Sequence, residues 1–353
     1  MGTRPEIIRL SVLLKDIKNS GIDNVVVYTN QNFNDNLSTV FLKELDVAID
    51  YFIDKLASFD PKTWVQHMQA NVEKIILTEH PDVFLILGDT YSGLSVDVAK
   101  KYQIPIVHME AGNRSFDMNM PEEQNRIHID HQSNYLLPYT NSSKENLLKE
   151  GMDEHNIFVF GNPIVDVLNY YKNKIDNSGI LSRLELKPKD YFLVTIHRAE
   201  NTNDLTILTN ILNGLNLISV QFNKKIIWGI HPRTKSKMSG VNVTLQENIK
   251  IYDSFDFFDF VKLEKNAYLI LTDSGTVQEE ASLFNVPTVT IRENTERPET
   301  ITCGSNILSG TKNADNILKT VKLMSRKQTN WISPYINDYN LSVKIINFLK
   351  NTF

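Results

Sequence analysis

Cysteine is almost absent from this sequence. The chain of 353 residues contains one, Cys303. A single thiol excludes an intrachain disulfide framework and is typical of a protein from a reducing compartment. The residues beside Cys303 include no dedicated partner that would activate a nucleophile, so we predict a packing role for its side chain.

Long apolar runs and an excess of basic charge are also missing. No run approaches the roughly 18–20 apolar residues that span a bilayer, and residues 1–10 lack the apolar core of a signal peptide. The formal net charge is −5, with lysine and arginine scattered among the acids, which does not favour nucleic-acid binding. We therefore predict a cytoplasmic protein with no membrane or nucleic-acid partner.

The glycine-rich motifs of two common nucleotide-binding folds do not occur. No G-x-G-x-x-G follows a strand-like run, and the sequence has no G-x-x-x-x-G-K-[ST]. Their absence counts against NAD and ATP. His128 and His131 lie three residues apart, but they match metal-ligand patterns weakly and no third ligand is evident. We predict a hydrogen-bonded helix face there, no metal site and no cofactor.

Short apolar runs alternate along the chain with longer segments of helical spacing. The first series of strand-like runs is NVVVYT, VFLILGD, IPIVHME, YLLPYT and IFVFG, separated by segments such as NDNLSTVFLKEL. A second series runs from YFLVTIH to VPTVTIR. This alternation predicts parallel sheets covered by helices, and the length predicts two domains.

We expect an α/β protein of two Rossmann-like, doubly wound domains, residues 1–168 and 169–339. The apolar spacing of residues 340–353 predicts a last helix that packs back on the first domain. If the two domains face each other, the carboxyl ends of their strands lie along a shared cleft.

Carboxylates gather where strands of the first domain are expected to end. Asp89 and Glu110 follow two apolar runs, and Glu122 begins a helix after Pro121. Each has a structural alternative, since Asp89 is placed to cap a helix and Glu122 complements the helix dipole. Together they predict an acid/base cluster in the cleft.

The segment LTDSGTVQEEAS gives the most specific signal for a nucleotide. An apolar strand runs into Ser274, Gly275 and Thr276, where a helix begins. Free backbone N–H groups and two hydroxyls predict a site for a diphosphate, with Glu280 one turn further on and within reach of a ribose diol. A plain Ser/Thr-capped helix is the alternative.

Cationic side chains accompany the start of the first predicted helix and the end of a strand in the second series. Arg4 and Arg9 accompany a turn that leads into a helix, and His197 and Arg198 follow the apolar run YFLVTI. We expect them to face the same anion from across the cleft. For Arg9 a surface position is an equal alternative.

Six motifs, in order and spacing, resemble the non-hydrolysing UDP-N-acetylglucosamine 2-epimerase family: GTRPE, LGDT, MEAGNR…PEEQNR, IHRAEN, DSGTVQEEA and TERPE. The resemblance implies a glycosyltransferase-B-like fold with a UDP-sugar between the domains, a homodimer, and a pathway of capsule or O-antigen sugar synthesis. It assigns catalysis to Asp89, Glu110, Glu122 and His197. It assigns binding of the UDP-sugar to Arg4, Arg9, Arg114, Phe260, Ser274, Gly275, Thr276 and Glu280.

Three features depart from the parent family. The loop EAGNRSFDMNMPEE resembles the branch that converts UDP-2-acetamido-2,6-dideoxy-L-talose to UDP-N-acetyl-L-fucosamine, and a branch acting on UDP-2,3-diacetamido-glucuronic acid shares this loop type. Arg9 stands where a lysine is common in the parent branch. The sequence starts at MGTRPE, where the family has a complete strand before the glycine, and we expect its absence to affect folding stability and activity.

The implied reaction explains the clustered acids. No carbonyl acidifies the C2–H of a 2-acetamido sugar, so we hypothesise that UDP first departs from C1 and gives a 2-acetamidoglycal, to which it adds back. Acid/base groups on both faces of the ring and stabilisation of the leaving diphosphate are then required. A glycosyltransferase of the same architecture and an inactive UDP-sugar-binding protein are the alternatives.

Overall fold

The computed structural model describes residues 1–31, 39–56 and 60–353 of the chain. These residues divide into two compact units, one of residues 1–170 and 337–353 and the other of residues 171–336. Parallel strands joined through helices build both units. The predicted α/β fold is confirmed.

The described strands of the first unit form two parallel sheets. They are β1 (Val27–Tyr28), β2 (Tyr51–Phe52), β3 (Phe84–Leu87), β4 (Ile106–Met109) and β5 (Tyr135–Leu137). β1 pairs with β2, and β4 lies between β3 and β5. The register of the second sheet places Leu87 opposite Met109, so β3 and β4 end side by side.

Helices cover these strands and begin with ordinary capping chemistry. They are α1 (Arg4–Asn19), α2 (Thr39–Glu44), α3 (Pro61–Glu79), α4 (Val96–Lys101), α5 (Pro121–Gln132), α6 (Asn141–Lys149) and α7 (Ile164–Tyr170). The side chain of Asp60 accepts the Thr63 N–H at the start of α3, and proline occupies the first turn of α1, α3 and α5, where its missing N–H costs nothing.

Two segments of the first unit differ from the predicted elements or extend beyond the described residues. The strand predicted at residues 157–161 is wrong, since Ile157 makes only an isolated bridge to Leu136. The aromatic rings of Phe158 and Phe160 instead pack against Phe348 near the end of the chain. The helix predicted for residues 34–45 begins among residues that lie outside the described ones, and the described part is α2.

The second unit contains one six-stranded parallel sheet. Its strands are β6 (Tyr191–Thr195), β7 (Lys225–Ile230), β8 (Ile249–Asp253), β9 (Leu269–Thr272), β10 (Thr288–Thr290) and β11 (Asn306–Leu308), in the order β11-β10-β9-β6-β7-β8. The chain builds outward from β6 to β8 and then returns to the other side of β6 with β9. The sheet order therefore reverses between β6 and β9, at a topological switch point.

Helices of the second unit lie between these strands in the chain. They are α8 (Lys172–Asp176), α9 (Ile180–Arg183), α10 (Ala199–Thr202), α11 (Leu205–Phe222), α12 (Pro232–Met238), α13 (Phe257–Asn266), α14 (Gly275–Leu283), α15 (Pro298–Thr302) and α16 (Ala314–Met324). By length and composition α11 is apolar enough to cross a membrane, which is weak evidence. One face of it, with Leu208, Ile211 and Leu215, is buried in the core of the unit, as a core helix requires.

The last helix, α17 (Leu341–Thr352), belongs to the first unit. Leu341, Ile345 and Leu349 share an apolar cluster with residues of α1. At the start of α17 the carboxylate of Asp166 accepts the backbone N–H groups of Asn340 and Ser342 at 2.9 and 3.0 Å. A carboxylate from another helix thus satisfies N–H groups that α17 itself leaves without an acceptor.

Candidate active site

Glu110 lies directly after β4 and is the most tightly held of the predicted acids. Arg9 of α1 forms an ion pair with it, the Tyr139 hydroxyl donates to it at 3.1 Å, and the Asn113 amide donates at 3.3 Å. Its backbone has φ of +70°, which is uncommon for a residue other than glycine. Arg9 is buried, so the surface alternative for it is wrong, and the guanidinium fixes the carboxylate.

The GTRPE motif joins the start of α1 to the loop that carries Asp89. Thr3 and Glu6 form a capping box at the start of α1. The Glu6 carboxylate is buried and also accepts the Thr90 hydroxyl at 2.6 Å. Glu6 therefore fixes the position of the loop after β3 relative to the helix that carries Arg9.

Asp89 lies two residues beyond the end of β3 and is bound by an arginine of α5. The Arg126 Nε donates to Asp89 Oδ2 at 3.1 Å, and the other arm of the same guanidinium pairs with Glu123. Thr90, not Asp89, holds the N-cap position of the short 3₁₀ helix at Tyr91–Ser95. The capping alternative for Asp89 is therefore wrong in this structure.

The two glutamates in the first turn of α5 have different surroundings. Glu123 is buried and accepts the backbone N–H groups of Ser115 and Phe116, both at 2.9 Å. Glu122 is half-buried. Burial, followed by the negative charge of Glu122, raises the pKa of the Tyr91 hydroxyl. Glu123 thus holds the preceding loop, and Glu122 is the member of the pair that is accessible for chemistry.

Beneath the loop after β4 lies a group of buried charges. Asp130 of α5 is fully buried and lies 2.7 Å from His108 Nδ1 and 2.8 Å from an Arg114 nitrogen. Burial alone would raise the pKa of Asp130, but the hydrogen bonds and charges of His108 and Arg114 outweigh it and lower that pKa. Arg114 also binds Glu150 at 2.6 and 2.7 Å.

Arg114 therefore lies inside the first unit. Its side chain is 1% exposed, and two carboxylates and the Asn113 carbonyl occupy the guanidinium. This placement does not fit the predicted direct contact with a ligand, because a ligand would have to compete with Asp130 and Glu150 for the guanidinium. The side chain fits a role in holding the 110–116 loop.

Other side chains predicted from the first unit are more peripheral to these carboxylates. The Arg4 guanidinium stacks 5.5 Å from the ring centroid of Phe41. His128 Nε2 hydrogen-bonds Asp97 at 2.7 Å, as predicted for a polar helix face. Among residues 1–31, 39–56 and 60–353 no group of three or more His, Cys, Asp or Glu side chains is arranged to hold a metal ion.

In the second unit, Asp273 organises the loop after β6. This fully buried carboxylate accepts the backbone N–H groups of His197 and Arg198 at 3.0 and 2.9 Å. Its Oδ1 lies 3.2 Å from His197 Nδ1. Because Thr195 pairs with Thr272, His197 and the residues after β9 meet at the switch point of the sheet, where ligands bind in this class of fold.

The predicted anion site at the start of α14 has the expected backbone arrangement. Ser274 is the N-cap residue, but its hydroxyl makes no capping hydrogen bond and lies 3.0 Å from the Thr276 hydroxyl. A Cβ on Gly275 would lie 2.6 Å from Glu296 Oε1, so a larger residue there would require the Glu296 carboxylate to shift. The alternative of a plain side-chain cap is wrong for Ser274.

Glu280 and Phe260 belong to the same unit and differ in burial. Glu280 is 4% exposed and sits in α14. Phe260 of α13 is half-buried and packs on the apolar cluster that lies between that helix and the sheet. Cys303 is held by Thr300 and Ser305, each at 3.3 Å from its sulfur, as the predicted packing role requires.

Several residues that hold the predicted site residues in place were not predicted from the sequence. Arg126 and Asp130 follow Glu123 by three and seven residues, so the three lie on one buried face of α5. That spacing of charges was the available signal. No sequence signal indicated Tyr139 or Asp273. Only the fold brings Tyr139 to Glu110 and Asp273 to His197.

The chain resembles known proteins over nearly its whole length. A family model described as UDP-N-acetylglucosamine 2-epimerase matches residues 15–350. UDP-N-acetylglucosamine 2-epimerase of Methanocaldococcus jannaschii is 43% identical over 345 residues, which cover 96% of this chain and 94% of that protein. UDP-2,3-diacetamido-2,3-dideoxy-D-glucuronate 2-epimerase of Pseudomonas aeruginosa is 35% identical over 316 residues, which cover 88% and 87%.

Solved structures with a similar fold include a member of the same family. The crystal structure of Methanocaldococcus jannaschii UDP-GlcNAc 2-epimerase in complex with UDP-GlcNAc and UDP has a TM-score of 0.93 at 40% identity, covering 99% of this chain and 98% of that one. These relatives and the two Rossmann-like units define an isomerase of the non-hydrolysing type. The chain belongs to the UDP-N-acetylglucosamine 2-epimerase family, and the predicted family is confirmed.

Proposed function

We propose that the protein inverts C2 of a UDP-2-acetamido sugar by eliminating UDP and adding it back. The observation that carries the proposal is the pair Asp89 and Glu110. Both follow the carboxyl ends of neighbouring strands, and each is bound by a different arginine, Arg126 and Arg9. Separate cations hold the two carboxylates as separate acid/base groups, which proton transfer at two faces of one carbon requires.

Each step conserves atoms and electrons without a cofactor. In the first step the C1–O bond to the diphosphate breaks and its electron pair leaves with UDP. A carboxylate takes the C2 proton, and the C1–C2 double bond of the glycal forms. In the second step a UDP oxygen adds to C1 while an acid delivers a proton to the other face of C2. We assign these proton transfers to Asp89, Glu110 and Glu122.

The second unit is assigned the nucleotide. The N–H groups at the start of α14 and the hydroxyls of Ser274 and Thr276 are suited to the diphosphate, and Glu280 to the ribose diol. His197, oriented by Asp273, would stabilise charge as it develops on the leaving phosphate. Arg4 is proposed to add a cation from the first unit.

UDP-N-acetylglucosamine is the first substrate to test, because the 43% identical relative carries that name. The loop from Glu110 to Glu123 supports UDP-2-acetamido-2,6-dideoxy-L-talose as the second candidate, with UDP-N-acetyl-L-fucosamine as product. The 35% identical relative makes the 2,3-diacetamido-glucuronate the third.

The decisive experiment is NMR in D₂O with each nucleotide sugar alone. An epimerase incorporates deuterium at C2 without an acceptor and reaches an equilibrium of two UDP-sugars. A glycosyltransferase leaves C2–H intact in all cases and releases UDP only when an acceptor is added. UDP binding in calorimetry without exchange, on all three sugars, would instead identify an inactive binding protein.

Glu110→Gln and Asp89→Asn are expected to lower turnover by about 100-fold or more, with UDP binding retained. Glu154→Gln is the matched control, since this exposed carboxylate pairs with Lys144 on the surface. Normal deuterium incorporation in either site variant would remove that residue from the mechanism.

The homodimer and the cytoplasmic location stay predictions from the sequence. Light scattering on the purified chain measures the first directly, and a mass of one chain, 40.5 kDa, would contradict it.

A further inference from the structure

The Asp130 carboxylate contacts both β4, which precedes Glu110, and the loop that follows Glu110. Its Oδ1 lies 2.7 Å from His108 Nδ1, two residues before Glu110 in β4. Its Oδ2 accepts the Gly112 N–H at 3.1 Å and contacts Arg114 at 2.8 Å. Asp130 thus contacts residues on both sides of Glu110 in the chain.

The His108 ring fixes this arrangement from the other side. Its Nε2 lies 3.0 Å from the carbonyl oxygen of Gly88, which precedes Asp89. A carbonyl and a carboxylate only accept hydrogen bonds, so a ring nitrogen that carries a proton can donate to either of them. His108 therefore connects the turn before Asp89 to the carboxylate beneath Glu110.

The loop needs such support because its backbone is unusual. Glu110 and Gly112 have φ of +70° and +75°, and a residue such as glutamate keeps a left-handed conformation only when its surroundings enforce it. Neither His108 nor Asp130 is exposed, and neither takes part in the proposed proton transfers. Burial of a carboxylate such as that of Asp130 is costly unless its contacts are specific.

We propose that Asp130 is a positioning residue, which, with His108, fixes the left-handed turn that orients the Glu110 carboxylate for proton transfer at C2. The proposal rests on the proposed function of Glu110. It predicts that Asp130 governs turnover and leaves substrate affinity nearly unchanged, because the nucleotide is assigned to other residues.

The test compares two substitutions of Asp130. Asp130→Ala removes the carboxylate that contacts His108, Gly112 and Arg114. Asp130→Asn keeps one oxygen for Gly112 and Arg114, and its amide can donate to His108 Nδ1 in the tautomer that carries its proton on Nε2. We expect kcat for deuterium incorporation at C2 to fall at least tenfold in Asp130→Ala, with KM within threefold, and to recover to within threefold of the parent in Asp130→Asn.

Loss of folding is separated from loss of positioning by the conditions and by a control. Rates are measured at least 15 °C below the Tm of each variant, where all of the protein is folded. Asp166→Ala is the matched control, since this aspartate also accepts two backbone N–H groups in the same unit. It should lower Tm and leave kcat unchanged.

Arg114→Lys serves if Asp130→Ala does not fold. A lysine keeps the charge but cannot bind Asp130 and Glu150 through a planar fork, and a fall of threefold or more in kcat at constant KM is expected. A raised KM with unchanged kcat would show that this side chain contacts the substrate and would overturn the proposal.

The remaining outcomes are also distinguishable. Unchanged kcat in folded Asp130→Ala overturns the positioning role. If Glu110→Gln exchanges C2–H normally, the proposed function of Glu110 fails first, whatever Asp130→Ala does. Loss of exchange in Glu110→Gln with full exchange in Asp130→Ala leaves the proposed function standing and removes only the inference about Asp130.

Discussion

Replacement of Gly112 by alanine is expected to destabilise the first unit by about 2–5 kcal/mol. A left-handed backbone costs an L-residue about 1–2 kcal/mol, and φ at Gly112 is +75°. An added Cβ would lie 2.2 Å from the Ser143 carbonyl oxygen and 2.8 Å from Leu147 Cγ. Because backbone of α6 must then move, an overpacking cost of about 1–3 kcal/mol is added.

Gly151→Ala measures the backbone cost alone, so the difference between the two variants isolates the overpacking cost. Gly151 has φ of +85°, and nothing lies within 4 Å of a Cβ built there, so only the backbone cost applies. Urea unfolding followed by circular dichroism should give the Gly112 variant a free energy of unfolding about 1–3 kcal/mol lower than that of the control. Deuterium incorporation at C2, measured in parallel, should fall only in the Gly112 variant.

Equal stability of the two alanine variants would refute this reasoning. It would mean that α6 yields without cost and that the close approach of Ser143 does not restrain the loop. A destabilised Gly112 variant with an intact exchange rate would show that this packing stabilises the fold but does not affect catalysis.

Three further changes test individual contacts. Tyr139→Phe removes one hydroxyl donor to Glu110; stability should fall by about 1.5–3 kcal/mol, and steady-state kinetics should show lower kcat at similar KM. Arg126→Lys cannot bridge its two carboxylates as a fork does, so C2–H exchange should slow by about tenfold, the effect of about 1.4 kcal/mol, while calorimetry shows intact UDP binding. Burial, partly offset by a hydrogen bond from Ser342, raises the pKa of Asp16 above its ordinary 3.8; the folded state therefore binds this proton more tightly, and stability falls as pH rises through that range. Asp16→Asn should accordingly raise Tm at pH 7, and the gain should shrink as pH falls through the ordinary pKa of 3.8 and vanish by about pH 3, where the carboxyl is mostly protonated in both states. An equal gain at neutral and at low pH would contradict the assignment.

The strand and helix alternation was predictable because parallel strands buried on both faces have nearly continuous apolar sequences. β9 is such a case, with all four residues buried. The segment at residues 157–161 has the same appearance, but its aromatic side chains pack on one another and on Phe348. Apolar content alone does not distinguish pairing with a strand from packing on a distant helix.

The candidate site was predictable where a residue follows a strand directly, as Glu110 and Ser274 do. It was not predictable where a charged helix face turns inward. α5 is rich in charged residues and looks solvated by composition, yet Glu123, Arg126 and Asp130 are all buried. Their partners Asp89 and His108 come from earlier elements, so only the three-dimensional contacts identify them.

The left-handed backbone of Glu110 bears on how this enzyme can be stabilised. Glycine would adopt the same conformation without the steric penalty of a Cβ, a gain of about 1–2 kcal/mol. It would also leave the buried Arg9 guanidinium without this carboxylate, which costs about 3–5 kcal/mol. A screen that selects only for thermal tolerance is therefore expected to retain Glu110, because the ion pair that holds the proposed proton-transfer group also stabilises the fold.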